Sequence, residues 1–438
     1  LMVADFTHVN NLPKWVRETV FYQIFPDRFA KSENYKVPGV FAPWGEKPTR
    51  NNLCGGNLQG IIEHLDYLED LGIGALYLCP IFKSNSNHRY HTYDYFSIDP
   101  VLGNDKDFDN LLKEAHARGI RVILDGVFNH CSRGFFQFDS VLELGKESPY
   151  ANWFHIKNFP LKAYSGEPNY ECWWNMPALP KFNTENPEVR EFLFSVAEYW
   201  TSRGIDGWRL DVPNEIDDDS FWQEFRRRVK AINKEAYIVG EIWDNPSRWL
   251  QGDQFDGVMN YRLRKLLLDF FLSTKENIQN GWSKFLQELV ELSKTGFGIP
   301  LNLLSSHDTR RLMSQPNSSL KRMKFLWTLL FFLPGTPCIY YGEEIAMEGG
   351  KDPDNRRCFP WGTFLSEEKN EFFHFLKDLI AWRKKETALI YGTLNVQLEH
   401  DSLCLQRIYG KDCIEMLLQR VKNGFDFEWE ITKTVKTC

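Results

Sequence analysis

The sequence predicts a (β/α)8 barrel with a small subdomain inserted after its third strand and a short β appendage at its carboxyl end. Three observations carry that prediction. Eight short apolar runs alternate with longer amphipathic segments, the pattern of a parallel sheet wrapped by helices. One connection, after the third run, lasts about fifty residues, longer than a structureless loop inside a compact fold tolerates unless it serves a function. Finally, acids, an arginine and histidines collect at the carboxyl ends of the runs, the face on which such barrels build their sites.

The elements follow in order. TVFYQIF (19–25) is the first strand, and LQGIIEHLDYLEDLG (58–72) has helical spacing. IGALYLC (73–79) is the second strand, DFDNLLKEAHARG (107–119) the next helix and RVILDGV (121–127) the third strand. After the irregular stretch come PEVREFLFSVAEYWTSRG (187–204), strand IDGWRLD (205–211), helix DSFWQEFRRRVKAINKE (219–235) and strand YIVGEI (237–242). FDGVMNY (255–261) is the sixth strand and YRLRKLLLDFFLS a helix. PLNLLSS (300–306), SLKRMKFLWTLLFFLPG, PCIYYG (337–342) and SEEKNEFFHFLKDLIAWRKK complete the alternation. Gly72, Gly119 and Gly204 stand where a residue of positive φ closes a helix. An open doubly wound sheet is the competing fold, but no GxGxxG or GxxxxGK[ST] follows an early strand.

The expected organisation is therefore a catalytic barrel over 1–130 and 186–388, an inserted subdomain over 131–185 and a β domain over 389–438. LIYGTLNVQLEHDSLCLQRIYG alternates like antiparallel strands. The stretch from Lys411 onward does not continue that alternation clearly, so an irregular end is expected, with no functional account.

Composition narrows the function. The 438 residues carry a net charge of −7 without a block of like charges, which argues against a nucleic-acid partner. No apolar run has the length of a membrane span, and the first fifteen residues lack a secretory signal, so a cytoplasmic protein is expected. Nine scattered cysteines without a CxxC pair read as reduced core residues. The 15 Trp, 17 Tyr and 34 Phe include clusters such as NYECWWNMP and ANWFHIKNFP in stretches without periodicity, where flat rings suit the apolar faces of sugars.

The third strand ends in Asp125, Asn129 and His130, the fourth in Arg209 and Asp211, the fifth in Glu241 and the seventh in His307 and Asp308. Each alone has a structural explanation: Asp125 could cap a turn, and Arg209 could pair with Asp211 as a bridge. Four strands ending this way argue for a site. There is no serine or cysteine nucleophile motif, and no anion-binding glycine loop to go with a phosphate-serving metal. His88 and His91 have HxxH spacing but no third ligand. Paired carboxylates among aromatics fit glycoside hydrolysis, in which one acid attacks the anomeric carbon and another protonates the leaving oxygen.

At DGVFNH, GWRLDVPNEI, GEIW and LLSSHD the sequence resembles the four signature regions of the α-amylase family of glycoside hydrolases, in the expected order, over residues from about 15 to 390. The resemblance implies Asp211 as nucleophile, Glu241 as general acid/base and Asp308 as the third acid, with Arg209 keeping Asp211 ionised. It implies His130 and His307 as hydroxyl-binding histidines, Tyr90 as a stacking platform, and Asp352 with Arg356 as the pair holding the next sugar. Asp125 and Asn129 would support the site. No cofactor and no metal are implied, because KSENYKVPG lacks the family's aspartate-rich calcium loop.

LPKFNTENPEV, DVPNEI and DPDNRRCFPW place the resemblance in the neopullulanase, cyclomaltodextrinase and maltogenic amylase group. Those enzymes carry an amino-terminal β domain used for dimerisation, whereas here the barrel begins almost at once, so a homodimer would need a different interface. Pro213 and Phe182 depart from the group's pattern and, with Asn214, Glu215 and Trp243, are the specificity candidates on the leaving side. The expected substrate is a malto-oligosaccharide or branched α-glucan, with a lean to α-1,6 debranching. Alternatives are a neopullulanase or cyclomaltodextrinase acting mainly on α-1,4 bonds, a glucanotransferase, and a glucan-binding protein without activity.

Overall fold

The computed structural model describes residues 2–4, 11–272, 281–294, 298–399, 402–421 and 427–435. All eight expected strands form: β1 (Phe21–Ile24), β2 (Ala75–Leu78), β3 (Arg121–Gly126), β4 (Gly207–Leu210), β5 (Tyr237–Gly240), β6 (Gly257–Val258), β7 (Leu301–Leu303) and β8 (Thr336–Tyr340). They hydrogen-bond in the order β7-β8-β1-β2-β3-β4-β5-β6. A parallel bridge from Met259 to Leu301 returns the last strand to the first, which makes the sheet a (β/α)8 barrel. The strands are short and almost wholly buried, because a parallel sheet covered on both faces has no solvent side to hold polar residues.

The intervening helices start where side chains can satisfy their free amides. Asn104 and Asp107 form a reciprocal capping box at the start of Asp105–Ala117. Asn186 caps Pro187–Ser202, whose proline sits where a missing N–H costs nothing. Gly72, Gly119 and Gly204 do adopt positive φ, of 99°, 70° and 108°. Two helices differ from expectation. The run 58–72 breaks into Leu58–Glu63 and Leu65–Leu71 at His64. There the imidazole Nδ1 lies 2.7 Å from the Gly60 carbonyl that its own backbone amide would otherwise take. A further helix, Gly281–Ser293, was not anticipated, although Trp282, Phe285 and Leu289 place a buried stripe at helical spacing.

The chain divides into two compact units, one of residues Leu1–Gln23, Tyr67–Ala75 and Ile242–Cys438, the other of Ile24–Asp66 and Leu76–Glu241. Strands β1 and β2 each give residues to both. The second unit contains the whole irregular stretch 131–185, which has one α-helix, Phe136–Leu144, and three short 3-10 turns, and is otherwise tied by single bridges such as Phe154 to Phe182 and Cys172 to Pro180. Its aromatic residues are largely a core. Phe138 meets Phe154 and Tyr170 edge-on, with centroids 5.0 Å apart in both pairs, and Trp153, Phe154 and Tyr170 are buried. Packing therefore explains most of the clusters that had suggested sugar contacts. Trp174, 76% exposed, and Phe159, 39% exposed, are the exceptions.

In the first unit the carboxyl-terminal residues are more regular than expected. Thr393–Glu399, Ser402–Tyr409, Asp412–Arg420 and Phe427–Val435, joined by Met2–Ala4, form a five-stranded sheet, antiparallel in every pairing. The alternation past Lys411 that was missed is carried inward by Ile414, Met416 and Leu418. Phe427 packs against Phe271, Trp282 and Phe325, from three helices, so the last strand serves as packing. The buried Arg407 ties this sheet down, donating to the carbonyls of Phe332 (2.6 Å) and Gly392 (2.9 Å). Arg407→Met leaves both buried carbonyls unpaired, at about 1–3 kcal/mol each. A thermal melt followed by circular dichroism should show a midpoint lower by several degrees; an unchanged midpoint would refute the anchoring role.

Candidate active site

Register brings the first group together. In the second unit β3 and β4 pair Asp125 with Arg209, and β4 and β5 pair Arg209 with Val239. The ladder continues one step past the strands, with the Asp211 amide on the Gly126 carbonyl and the Glu241 amide on the Leu210 carbonyl, each at 3.0 Å. Asp125, Asp211 and Glu241 therefore emerge around one guanidinium. Nη1 of the fully buried Arg209 lies 3.1 Å from Asp125 Oδ1 and 3.0 Å from Asp211 Oδ1, and Nη2 lies 3.1 Å from Glu241 Oε2. Burial works against the arginine's charge, but Asp125 and Glu241 hold it firmly protonated, well above its ordinary value.

Burial pushes Asp125 up to about 6 despite Arg209 and the hydroxyls of Tyr90 and Tyr77, which donate to its Oδ2 at 2.7 and 3.0 Å. The Tyr90 ring, expected as a stacking platform, is fixed by that bond. Glu241 Oε2 also accepts the Val212 amide at 3.0 Å. Val212 reaches it by taking a left-handed backbone, φ 36°, which is costly for a β-branched residue.

His130 is buried, and burial lowers its pKa to about 3, with His91 and Lys181 adding to the effect; it is a neutral imidazole stacked on Trp173. Asn129 gives its amide to Glu215 Oε2 at 3.3 Å and accepts Lys181 Nζ at 2.8 Å. Lys181 also donates to the Glu215 carbonyl at 2.6 Å. It lies within LPKFN but was not singled out, because a lysine in a loop has no periodicity to mark it. Two specificity candidates are buried. Phe182 is fully buried among Tyr95, Phe135 and Phe154, so its bulk fills a core and cannot touch a sugar. Pro213 is buried at the start of a short 3-10 turn, its carbonyl accepting Trp222 Nε1 at 3.0 Å. That turn leaves Asn214 exposed and Glu215 half-buried.

The first unit holds a second group. The carboxamide of Gln23 lies 2.7 Å from His307 Nδ1, and as the nitrogen there can only donate, Nε2 carries the imidazole proton toward Asp308 Oδ2, 3.2 Å away. Arg356 spans Asp352 (3.1 Å), Asp308 (3.5 Å) and the His307 carbonyl (3.0 Å). Asn355, also not anticipated, donates to the carbonyls of His307 (2.7 Å) and Thr309 (2.9 Å) and so sets the loop carrying Asp308. Trp243, 46% exposed, stacks on Tyr261 at 3.6 Å.

The α-amylase catalytic domain matches this chain over residues 23–392. The chain belongs to the α-amylase family. It is therefore a glycoside hydrolase by family. A cyclomaltodextrinase of Bacillus sp is 42% identical over 417 residues, 94% of this chain and 74% of the relative. Among solved structures, the cyclic α-maltosyl-(1→6)-maltose hydrolase from Arthrobacter globiformis superposes with a TM-score of 0.88 at 40% identity, covering 94% of this chain and 92% of that one. The debranching enzyme from Nostoc punctiforme gives a TM-score of 0.84 at 44% identity, with 93% and 88% covered. Among the described residues the eight cysteines are free and no helix is long and apolar enough to cross a membrane.

The state of His130 gives a pH test. Its folded pKa is depressed, so as pH falls from about 6.5 toward 3 the unfolded chain takes a proton that the folded one refuses. Stability then falls by up to about 1.4 kcal/mol per pH unit on this account. In urea unfolding, His130→Asn should show a shallower loss between pH 6 and 4 than the parent; an equal slope would mean the imidazole is not held neutral.

Proposed function

We propose that this family member hydrolyses α-glucosidic bonds in malto-oligosaccharides and branched glucans with retention of configuration. The observation that carries the reading is the single buried guanidinium shared by Asp125, Asp211 and Glu241. In the proposed reaction the Asp211 carboxylate attacks the anomeric carbon, the bond to the leaving oxygen breaks, and that oxygen takes the proton of Glu241. Water then attacks the glycosyl ester, giving its proton to Glu241 and releasing Asp211. Asp308 is assigned as the third acid, and His130, His307, Asp352 and Arg356 as hydroxyl-binding groups, from their signature motifs. Arg209 favours the ionised nucleophile.

For linkage we lean to α-1,6 branches. The likenesses to a debranching enzyme and to a hydrolase of a cyclic α-(1→6)-linked maltose support the lean. The cyclomaltodextrinase likeness favours the second reading, action mainly on α-1,4 bonds. With Phe182 and Pro213 buried, the residues assigned to this choice are Asn214, Glu215 and Trp243. The free cysteines suit a reducing compartment, and a cytoplasmic site of action is proposed.

Glu241→Gln should lower kcat on a branched malto-oligosaccharide by about 10²–10⁴-fold, the usual worth of a general acid/base, with the melting midpoint little changed. Unchanged hydrolysis would overturn the mechanism. Chromatography of products from pullulan, β-cyclodextrin and a branched malto-oligosaccharide, run side by side, should show linear chains released fastest from the branched substrate. Rapid opening of β-cyclodextrin with the branches left intact would reverse the linkage assignment, and lengthened chains would mark a transferase.

A further inference from the structure

Trp174 is at odds with its surroundings. It is one of four exposed aromatic rings in the inserted stretch, with Phe136, Phe159 and Tyr164, and of these four it is the one that holds a left-handed backbone, φ 50°, ψ 34°, which a bulky residue rarely adopts. Asn175 follows at φ 55°. Two consecutive non-glycine residues in that region are held only because the neighbouring backbone fixes them. The Trp173 amide is bonded to the Leu179 carbonyl at 3.0 Å, and the Met176 amide to the Trp173 carbonyl at 2.9 Å. Such strain, kept where it exposes a large apolar surface, is characteristic of a functional position.

The strained turn has a geometric result. Trp174 lies nearly parallel to Trp173, with centroids 4.8 Å apart and planes 12° apart. Trp173 in turn stacks on His130, at 5.5 Å and 28°. Three flat rings therefore run outward from His130, which is buried, to an outermost indole that has one face covered by Trp173 and the other in solvent. An indole face carries negative charge density and suits the C–H face of a pyranose.

We propose that the outer face of Trp174 binds a glucosyl unit of an α-glucan beyond the units held at the bond being cleaved, so that Trp174 sets a preference for longer chains. The inference rests on the α-glucan hydrolase reading above, with His130 at the cleaved sugar. No covalent step is involved; the gain is in binding, and it should appear mainly in KM.

The test compares the full chain with Trp174→Ala and Trp174→Tyr on maltotriose and maltoheptaose. Trp174→Ala is expected to lower kcat/KM on maltoheptaose about five- to tenfold, chiefly through KM, and on maltotriose less than twofold, with Tyr restoring most of the loss. Equal effects on both substrates, or none on maltoheptaose, would overturn the proposal. Titration of Glu241→Gln with maltoheptaose, followed by tryptophan fluorescence, reads binding without turnover. Maltoheptaose affinity lost on adding Trp174→Ala supports the platform even if the native chain cleaves no α-glucan, in which case only the hydrolase reading fails. A fall in self-association on size-exclusion chromatography, with maltoheptaose kinetics intact, would instead assign the ring to contact between copies and reject the sugar platform.

Discussion

The guanidinium of Arg209 is the interaction on which the second unit's polar residues depend. Its side chain is fully buried, and an uncompensated charge there would cost several kcal/mol, so the fold can keep it only by bringing anions to it. Three strand ends supply them, and in-register parallel pairing delivers all three to one point. The same pairing that closes the sheet thus concentrates negative charge. Kept from water, Asp125 holds its proton more firmly than an ordinary carboxyl does.

A different solution operates in the first unit. Asp308 is a third exposed, with Arg356 3.5 Å from its Oδ1 and His307 Nε2 3.2 Å from its Oδ2, and the loop that carries it is held through its own backbone. Asn355 gathers the carbonyls of that loop, Arg356 takes the His307 carbonyl, and Gln23 fixes which imidazole nitrogen is protonated. Hydrogen bonds to main-chain carbonyls do the positioning, and the carboxylate stays accessible. One unit therefore fixes its acids by charge, the other by hydrogen bonds to the main chain.

How far the sequence reveals this follows from what each signal measures. Strand runs are buried on both faces, so hydropathy marks all eight. The acids, Arg209 and the histidines show because polar residues at the ends of apolar runs break a simple pattern. Asn355 and Lys181 do not show, because their importance lies in which carbonyls and amides fall within reach, and loops bring those together without periodicity. The burial of Phe182 and Pro213 does not show for a related reason: whether an unusual residue beside a motif faces solvent or core depends on the packing of Tyr95, Phe135 and Trp222. The closing strands past Lys411 do not show although Ile414, Met416 and Leu418 alternate, since the apolar Cys413 and Leu417 beside them obscure the period.

The backbone at Val212 carries a consequence for evolution and engineering. Its φ of 36° stores strain directly after Asp211, and what that strain achieves is to turn one amide toward Glu241. A glycine there would relax the chain and raise stability, while letting the amide drift and loosening the acid it holds. Selection for robustness and selection for turnover therefore pull this position in opposite directions. On the proposed roles of Asp211 and Glu241, a search for more heat-resistant variants that reached Val212 would gain stability there at the expense of turnover.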